Sequence, residues 1–138
     1  MIISYKREHL KQMELEDAQL ILGSETLERY SMVVGPAKTL IIDDKIIGCG
    51  GIEPVWRGVG DAWLLLSRYL FEYPIAVGKH CKKMLPEMSR SFHRVQALVL
   101  ADFVKGVQFV NALGFEYEGI MKSYGPNRED FLRYVILR

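Results

Sequence analysis

The sequence predicts an α/β fold in which one mixed, mostly antiparallel sheet carries helices on both faces. Three observations predict it. Arg94 to Gly119 reads as strand, helix, glycine stop and second strand. Lys38 to Ser67 reads as an antiparallel meander, and Asp130 to Leu137 closes the chain as one arm of a hairpin. A meander that feeds a β-α-β unit needs one parallel crossover among otherwise antiparallel neighbours.

Taken in order, Met1 to Lys6 is a first strand. Arg7 to about Val33 is helical, with Leu10, Met13 and Leu20 or Ile21 available for a buried face. Gly23-Ser24 divides it into two short helices, with Ser24 as the second N-cap. Gly35-Pro36 marks a turn. Lys38 to Ile42 and Lys45 to Ile52 are strands joined across Asp43-Asp44, residues that tolerate tight turns. The second strand carries Gly48, Gly50 and Gly51, which mark either a bulge or close approach to the backbone, or a strand packed beneath a large side chain. Gly58 to Asp61 turns the chain into Ala62 to Ser67, an apolar run of the kind buried on both faces.

Pro74 suits the first turn of the next helix. Val77, Cys81, Met84 and Met88 form its buried stripe, and Lys79, Lys82 and Lys83 share another face. Pro86 inside it predicts a kink or break. Arg94 to Leu100 is then a strand. Asp102 caps a helix with Phe103, Val107, Val110 and Leu113 on one stripe, and Gly114 ends it by adopting positive φ.

The chain's 138 residues, 49% hydrophobic and 25% charged, are expected to form one ordinary globular domain over 1–138. A net charge of +1 gives no reason to expect nucleic acid or an acidic membrane surface as a partner. No apolar run approaches the roughly 20 residues that cross a bilayer. Met1-Ile2-Ile3 running into Lys6, Arg7 and Glu8 is no signal peptide, so the expectation is a cytoplasmic protein, or one made there and then packaged. Cys49 and Cys81 form no CxxC motif and no zinc spacing with His9, His80 or His93. They are either two buried thiols or one disulfide, and no metal is expected.

Leu113, Gly114, Phe115, Tyr117, Glu118, Gly119, Ser123, Tyr124 and Gly125, followed by the closing strand, resemble the C-terminal half of the GNAT (Gcn5-related N-acetyltransferase) superfamily. The order of elements upstream fits it too. The resemblance implies a GNAT-type fold, acetyl-CoA as cofactor, and a small-molecule or protein amine as substrate. It implies that Leu65, Leu66 and Ser67 supply the strand beside the pantetheine arm, and that Arg68, Gly78 and Lys79 meet the phosphate end. Glu53 is then the candidate general base and Tyr124 the candidate general acid. Each has a plainer alternative: Glu53 as a strand-end glutamate in water, and the lysines as the solvated face of a helix.

The chain also departs from the family pattern. The phosphate loop usually reads Arg/Gln-x-x-Gly-x-Gly/Ala, whereas here Gly78 stands alone and Pro74 removes a donor. Val110 occupies the position where many members carry a proton-donating tyrosine. The GIEPV strand end, the Gly-x-x-Trp-Leu-Leu strand and the following Gly-Lys resemble the GNAT-like proteins of short-tailed phages, the internal virion protein A type among them. That branch implies a virion partner, and a structural or accessory protein that keeps the fold without turnover. Enzyme and accessory protein are separated by geometry. Central strands that part near Ser67 around a pocket keep the ligand site; Tyr69 or Phe71 filling the gap would close it. The acceptor and the oligomeric state are left unspecified by the sequence.

Overall fold

The computed structural model describes residues 1–13 and 34–138. The expected second helix and the Gly23-Ser24 break lie outside the described residues. The elements are β1 (Ile2–Ser4), α1 (Glu8–Gln12), β2 (Ala37–Ile42), β3 (Lys45–Trp56), β4 (Val59–Leu66), a 3-10 helix (Arg68–Glu72), α2 (Pro74–Met88), β5 (Arg94–Leu100), α3 (Val104–Ala112), β6 (Glu116–Met121) and β7 (Phe131–Leu137). The strands form one seven-stranded sheet in the order β1-β2-β3-β4-β5-β7-β6. Its described neighbours are antiparallel except β4 and β5, which the α2 crossover makes parallel.

Strand alternation sorts the side chains onto two faces. On one, Leu10 of α1 and Met13 just beyond it pack against Ile46, Cys49, Trp63 and Leu65. On the other, Leu66, Leu40 and Ile47 meet Val77 of α2, and Ile52, Val95 and Tyr134 meet Val110 of α3. Helices therefore cover both faces, as the patterning predicts.

Several details differ from the sequence reading. The turn into β4 is Arg57-Gly58, with Gly58 at φ +81°, and β4 begins at Val59 rather than Ala62. Gly60 lies inside the strand because Ile52 and Phe92 pack over it: a Cβ there would sit 2.4 Å from Ile52 Cγ2. Gly48 and Gly50 are packed beneath side chains, with Leu66 Cδ2 and Leu64 Cδ1 at 3.1 and 2.9 Å from where a Cβ would stand. A register shift between Leu40 and Ile41 also places a bulge in β3 at Ile47, whereas β4 is in unbroken register with β3 from Gly60 to Leu66.

Pro86 does not break α2, which runs through it to Met88. Pro86 cannot donate to the Lys82 carbonyl four residues back, but Lys82, Lys83 and Pro86 lie on the exposed side of the helix, where water can meet that carbonyl. Asp102 is not a side-chain cap either. Phe103 holds the N-cap position of α3 with its ring folded against Gly106, and Asp102 contributes only its carbonyl, which accepts from Val104 N at 3.1 Å. Gly114 does end the helix with φ +92°.

Candidate functional site

β4 and β5 are in register from Val59 opposite Arg94 to Ala62 opposite Ala97, and the register ends there although both strands continue. A cavity of about 560 Å³ lies where they part, within the size range of small-molecule sites. Leu64, Leu65 and Leu66 wall it on one side, and Leu98, Val99 and Leu100 on the other. Helices α2 and α3 close it behind with Met84, Phe109 and Val110. Alanine on both strands at the last paired position leaves the vertex of the cleft uncrowded.

The end of β4 is fixed by Ser67, which is fully buried. Its N–H donates to Ile47 O at 2.9 Å and its Oγ accepts from Tyr69 N at 3.2 Å, turning the strand into the 3-10 helix. That helix is tied to the β2–β3 turn, where Asp43 and Asp44 adopt φ +50° and +61°. Tyr73 Oη donates to Asp43 Oδ2 at 2.7 Å, Lys45 Nζ lies 3.5 Å from Glu72 Oε2, and the same ammonium sits 4.7 Å above the Tyr69 ring. Tyr69 packs with the Leu66 and Val77 cluster and is not part of the cavity wall. The Phe71 side chain lies outside the described residues.

The structure brings Leu65, Leu66 and Tyr124 to one cavity. Tyr124 stands at its rim, nearly half exposed, with its ring edge-on to Phe131 at 5.4 Å. Glu53, Ser67, Arg68, Gly78 and Lys79 are not in the cavity wall. The Glu53 carboxylate accepts from Gly35 N at 3.0 Å and from Val34 N at 3.2 and 3.3 Å, so it holds the start of the described chain after residue 33. Arg68 and Lys79 are exposed, and nothing in the protein lies within 4 Å of a Cβ built on Gly78.

Two polar residues in the wall were not singled out by sequence reasoning. Asp61 lies one residue before the vertex, and its Oδ1 accepts from Gln96 Nε2 at 2.7 Å. Gln96 Oε1 accepts in turn from Arg94 Nε at 3.1 Å, and the Arg94 guanidinium grips both oxygens of Glu118, at 2.8 and 2.5 Å. Arg133 Nε adds an ion pair to Glu118 at 2.9 Å. The hydrogen bonds from Arg94 hold the Glu118 carboxyl below the usual carboxylate range. The signal was present in the sequence as Arg94 and Gln96 alternating on one face of an apolar strand.

Burial also shifts His9, Cys49 and Cys81. His9 Nδ1 lies 2.7 Å from Thr39 Oγ1, which lies 3.4 Å from Cys49 Sγ, and burial lowers the imidazole and raises that thiol. Both cysteines are free, and burial pushes the Cys81 thiol up to about 11. A thiol reagent at pH 8 is therefore expected to modify neither cysteine quickly in the folded protein and both after denaturation. Two rapidly reacting thiols in the native state would contradict this. An acid whose pKa is raised by folding contributes full stability below its unfolded value, near 9, and loses it as pH rises through about 11. The melting temperature is expected to fall across that window, less steeply in Cys81→Ala.

A mixed sheet whose two parallel strands part around a cavity defines an α/β fold with a cleft between strands. Comparison with solved structures makes this more specific: the chain has the fold of the GNAT N-acetyltransferases. It is similar over 100% of its length to 99% of a ribosomal-protein-alanine N-acetyltransferase from Brucella melitensis, with TM-score 0.71 and 14% identity. A spermidine N-acetyltransferase from Vibrio cholerae gives TM-score 0.71 at 13% identity, covering 99% of this chain and 94% of that one. A GNAT-family acetyltransferase from Streptococcus pneumoniae gives TM-score 0.70 at 16% identity, covering 99% and 98%. No protein-family model and no curated protein matches the sequence.

The resemblance implies acetyl-CoA, and the residues present fit its two ends unequally. The cleft suits a narrow, largely uncharged arm. The connection from β4 to α2 suits a pyrophosphate poorly, because the amides of Tyr69, Leu70, Tyr73 and Val77 are already bonded, Pro74 has none, and carboxylates of Asp43 and Glu72 stand beside it. Among the described residues no helix is long and apolar enough to cross a membrane.

Proposed function

We propose that the protein transfers an acyl group from a thioester such as acetyl-CoA to an amine. The parting of β4 and β5 around the cavity carries this reading, since it leaves a buried channel through the sheet centre in which the thioester and an amine can meet. Leu65 and Leu66 wall the donor's side. Tyr124 is a hydroxyl at the rim able to give a proton to the departing thiolate. Asp61 is the carboxylate beside the vertex: Gln96, itself held by Arg94, fixes one of its oxygens, and a substrate ammonium is its natural partner. Once the ammonium has lost a proton to this carboxylate or to water, the neutral amine attacks the thioester carbonyl and the C–S bond breaks. The second proton the nitrogen sheds goes to solvent as Tyr124 protonates the thiolate. Glu53 is the cross-strand partner of Asp61, close enough to add negative potential on the acceptor side while tethering the backbone at Val34 and Gly35.

Asp61→Asn keeps an acceptor for Gln96 and removes the charge. It is expected to lower kcat/KM for a cationic amine about 10- to 100-fold while the fold and donor affinity are unchanged. An unaltered kcat/KM would remove Asp61 from the site. The function itself is tested by incubating acetyl-CoA with a polyamine, amino acids and a peptide with a free N-terminus, and following acetylated product by mass spectrometry. Product well above the uncatalysed background supports the reading; none from any amine counts against it.

A second reading is supported by Val110, which puts a buried methyl group where a proton donor is expected, and by the closed β4–α2 connection. On that reading the protein is a phage-encoded structural or accessory component that keeps the fold without turnover. It predicts no product in the same assay and a stable complex with a virion protein.

A further inference from the structure

We infer that the cleft holds its acyl donor by the thioester-bearing arm alone and does not grip a nucleotide, so that donors with and without the phosphates of CoA bind alike. This rests on the acyltransferase reading above and concerns which part of the donor is recognised.

An anion cradle at the start of a helix needs free amides, a favourable field and room. The segment between β4 and α2 is poorly provided for the first two. Four of its amides are already used: Tyr69 N donates to Ser67 Oγ at 3.2 Å, Leu70 N to Ser67 O at 3.1 Å, Tyr73 N to Leu70 O at 3.0 Å and Val77 N to Tyr73 O at 3.1 Å, which leaves Ile75 and Ala76 as the first-turn donors. Position 74 is proline and has no amide proton. The field is weakened as well, because the carboxylates of Asp43 and Glu72 are drawn in beside the helix start by Tyr73 and Lys45, against the exposed Arg68 at the start of the 3-10 helix. The one ammonium among these contacts, that of Lys45, is committed to Glu72 and the Tyr69 ring. The Tyr73–Asp43 hydrogen bond also fastens the β2–β3 turn to the residue before α2.

The lysines that might compensate stand elsewhere. Lys79, Lys82 and Lys83 are exposed and none is in the cavity wall, whereas Val77, Cys81 and Met84 of the same helix are. Helical periodicity puts the two sets on different faces. The surface that α2 and α3 give the cavity is mostly apolar, from Val77, Met84, Phe109 and Val110, with His80 the ionisable side chain among it. What it complements is therefore an extended, uncharged arm ending in an acyl thioester.

The test is calorimetric titration of the full chain with acetyl-CoA, with S-acetylpantetheine, and with adenosine bisphosphate, the nucleotide half of CoA alone. Dissociation constants for the two thioesters within about threefold of each other, with no displacement by the bisphosphate, are expected. The acetyl-CoA affinity should also be nearly flat from low to high salt, since no exposed phosphate pairing is being screened. Acetyl-CoA binding more than about 100-fold tighter than S-acetylpantetheine, or displaced by the bisphosphate, would overturn the inference and leave the acyltransferase reading standing. Failure of both thioesters to bind at millimolar concentration would instead remove the acyltransferase reading, and this inference with it.

Discussion

Ala97→Trp is expected to abolish binding of acyl thioesters, with an affinity loss of more than about 100-fold, while the protein still folds. Ala97 is the last β5 residue in register with β4, and its side chain looks into the cavity that opens beyond. An indole there fills the vertex, where an arm entering between the strands must end. The cavity gives the ring somewhere to go, so the cost in stability should stay within the roughly 1–3 kcal/mol typical of added core volume. Calorimetry of the variant checks the first point and denaturant unfolding the second. A variant that is well folded and binds as the parent does would show that the ligand lies elsewhere.

Ile52→Ala is expected to produce the largest loss of stability of any single truncation in the sheet, about 2–5 kcal/mol, read as a drop in the urea midpoint at constant m. Ile52 is fully buried, belongs to the cluster with Val95, Val110 and Tyr134, and covers Gly60 of the neighbouring strand. Its removal leaves a void that Gly60 has no side chain to fill. The sheet centre is also the floor on which the cleft is built, so ligand affinity should fall with stability. A change below about 1 kcal/mol would mean that the cluster is not packed as described.

Much of the fold could be read from the chain because its local signals agree with its tertiary ones. The Arg94–Leu100 strand, the α3 stripe with Gly114 at its end and the Asp43-Asp44 turn all stand where periodicity and turn chemistry put them. Errors came where packing overrode a local signal. Gly60 reads as a turn residue, yet it is needed inside β4 because Ile52 and Phe92 occupy the space a Cβ would take. Asp102 reads as a cap, yet the Phe103 ring settles on Gly106 and takes the N-cap position for itself.

The site was less legible than the fold. Leu65, Leu66 and Tyr124 could be proposed from motif positions and do share the cavity. Asp61 and Gln96 could not, because their link spans 35 residues of sequence and exists only where β4 meets β5. The 3-10 helix from Arg68 to Glu72 was equally hidden: what winds it is Ser67, buried at the end of β4, and what fastens it is a tyrosine reaching a turn 30 residues earlier.

Hydrogen exchange with and without S-acetylpantetheine tests the central claim most directly. If the donor's arm lies between the parted strands, exchange should slow in Trp63–Leu66 and in Leu98–Leu100 together, with little change in β1, β2 or β6. Protection confined to other surfaces, or none at a concentration that saturates calorimetric binding, would contradict the placement of the ligand in the cleft.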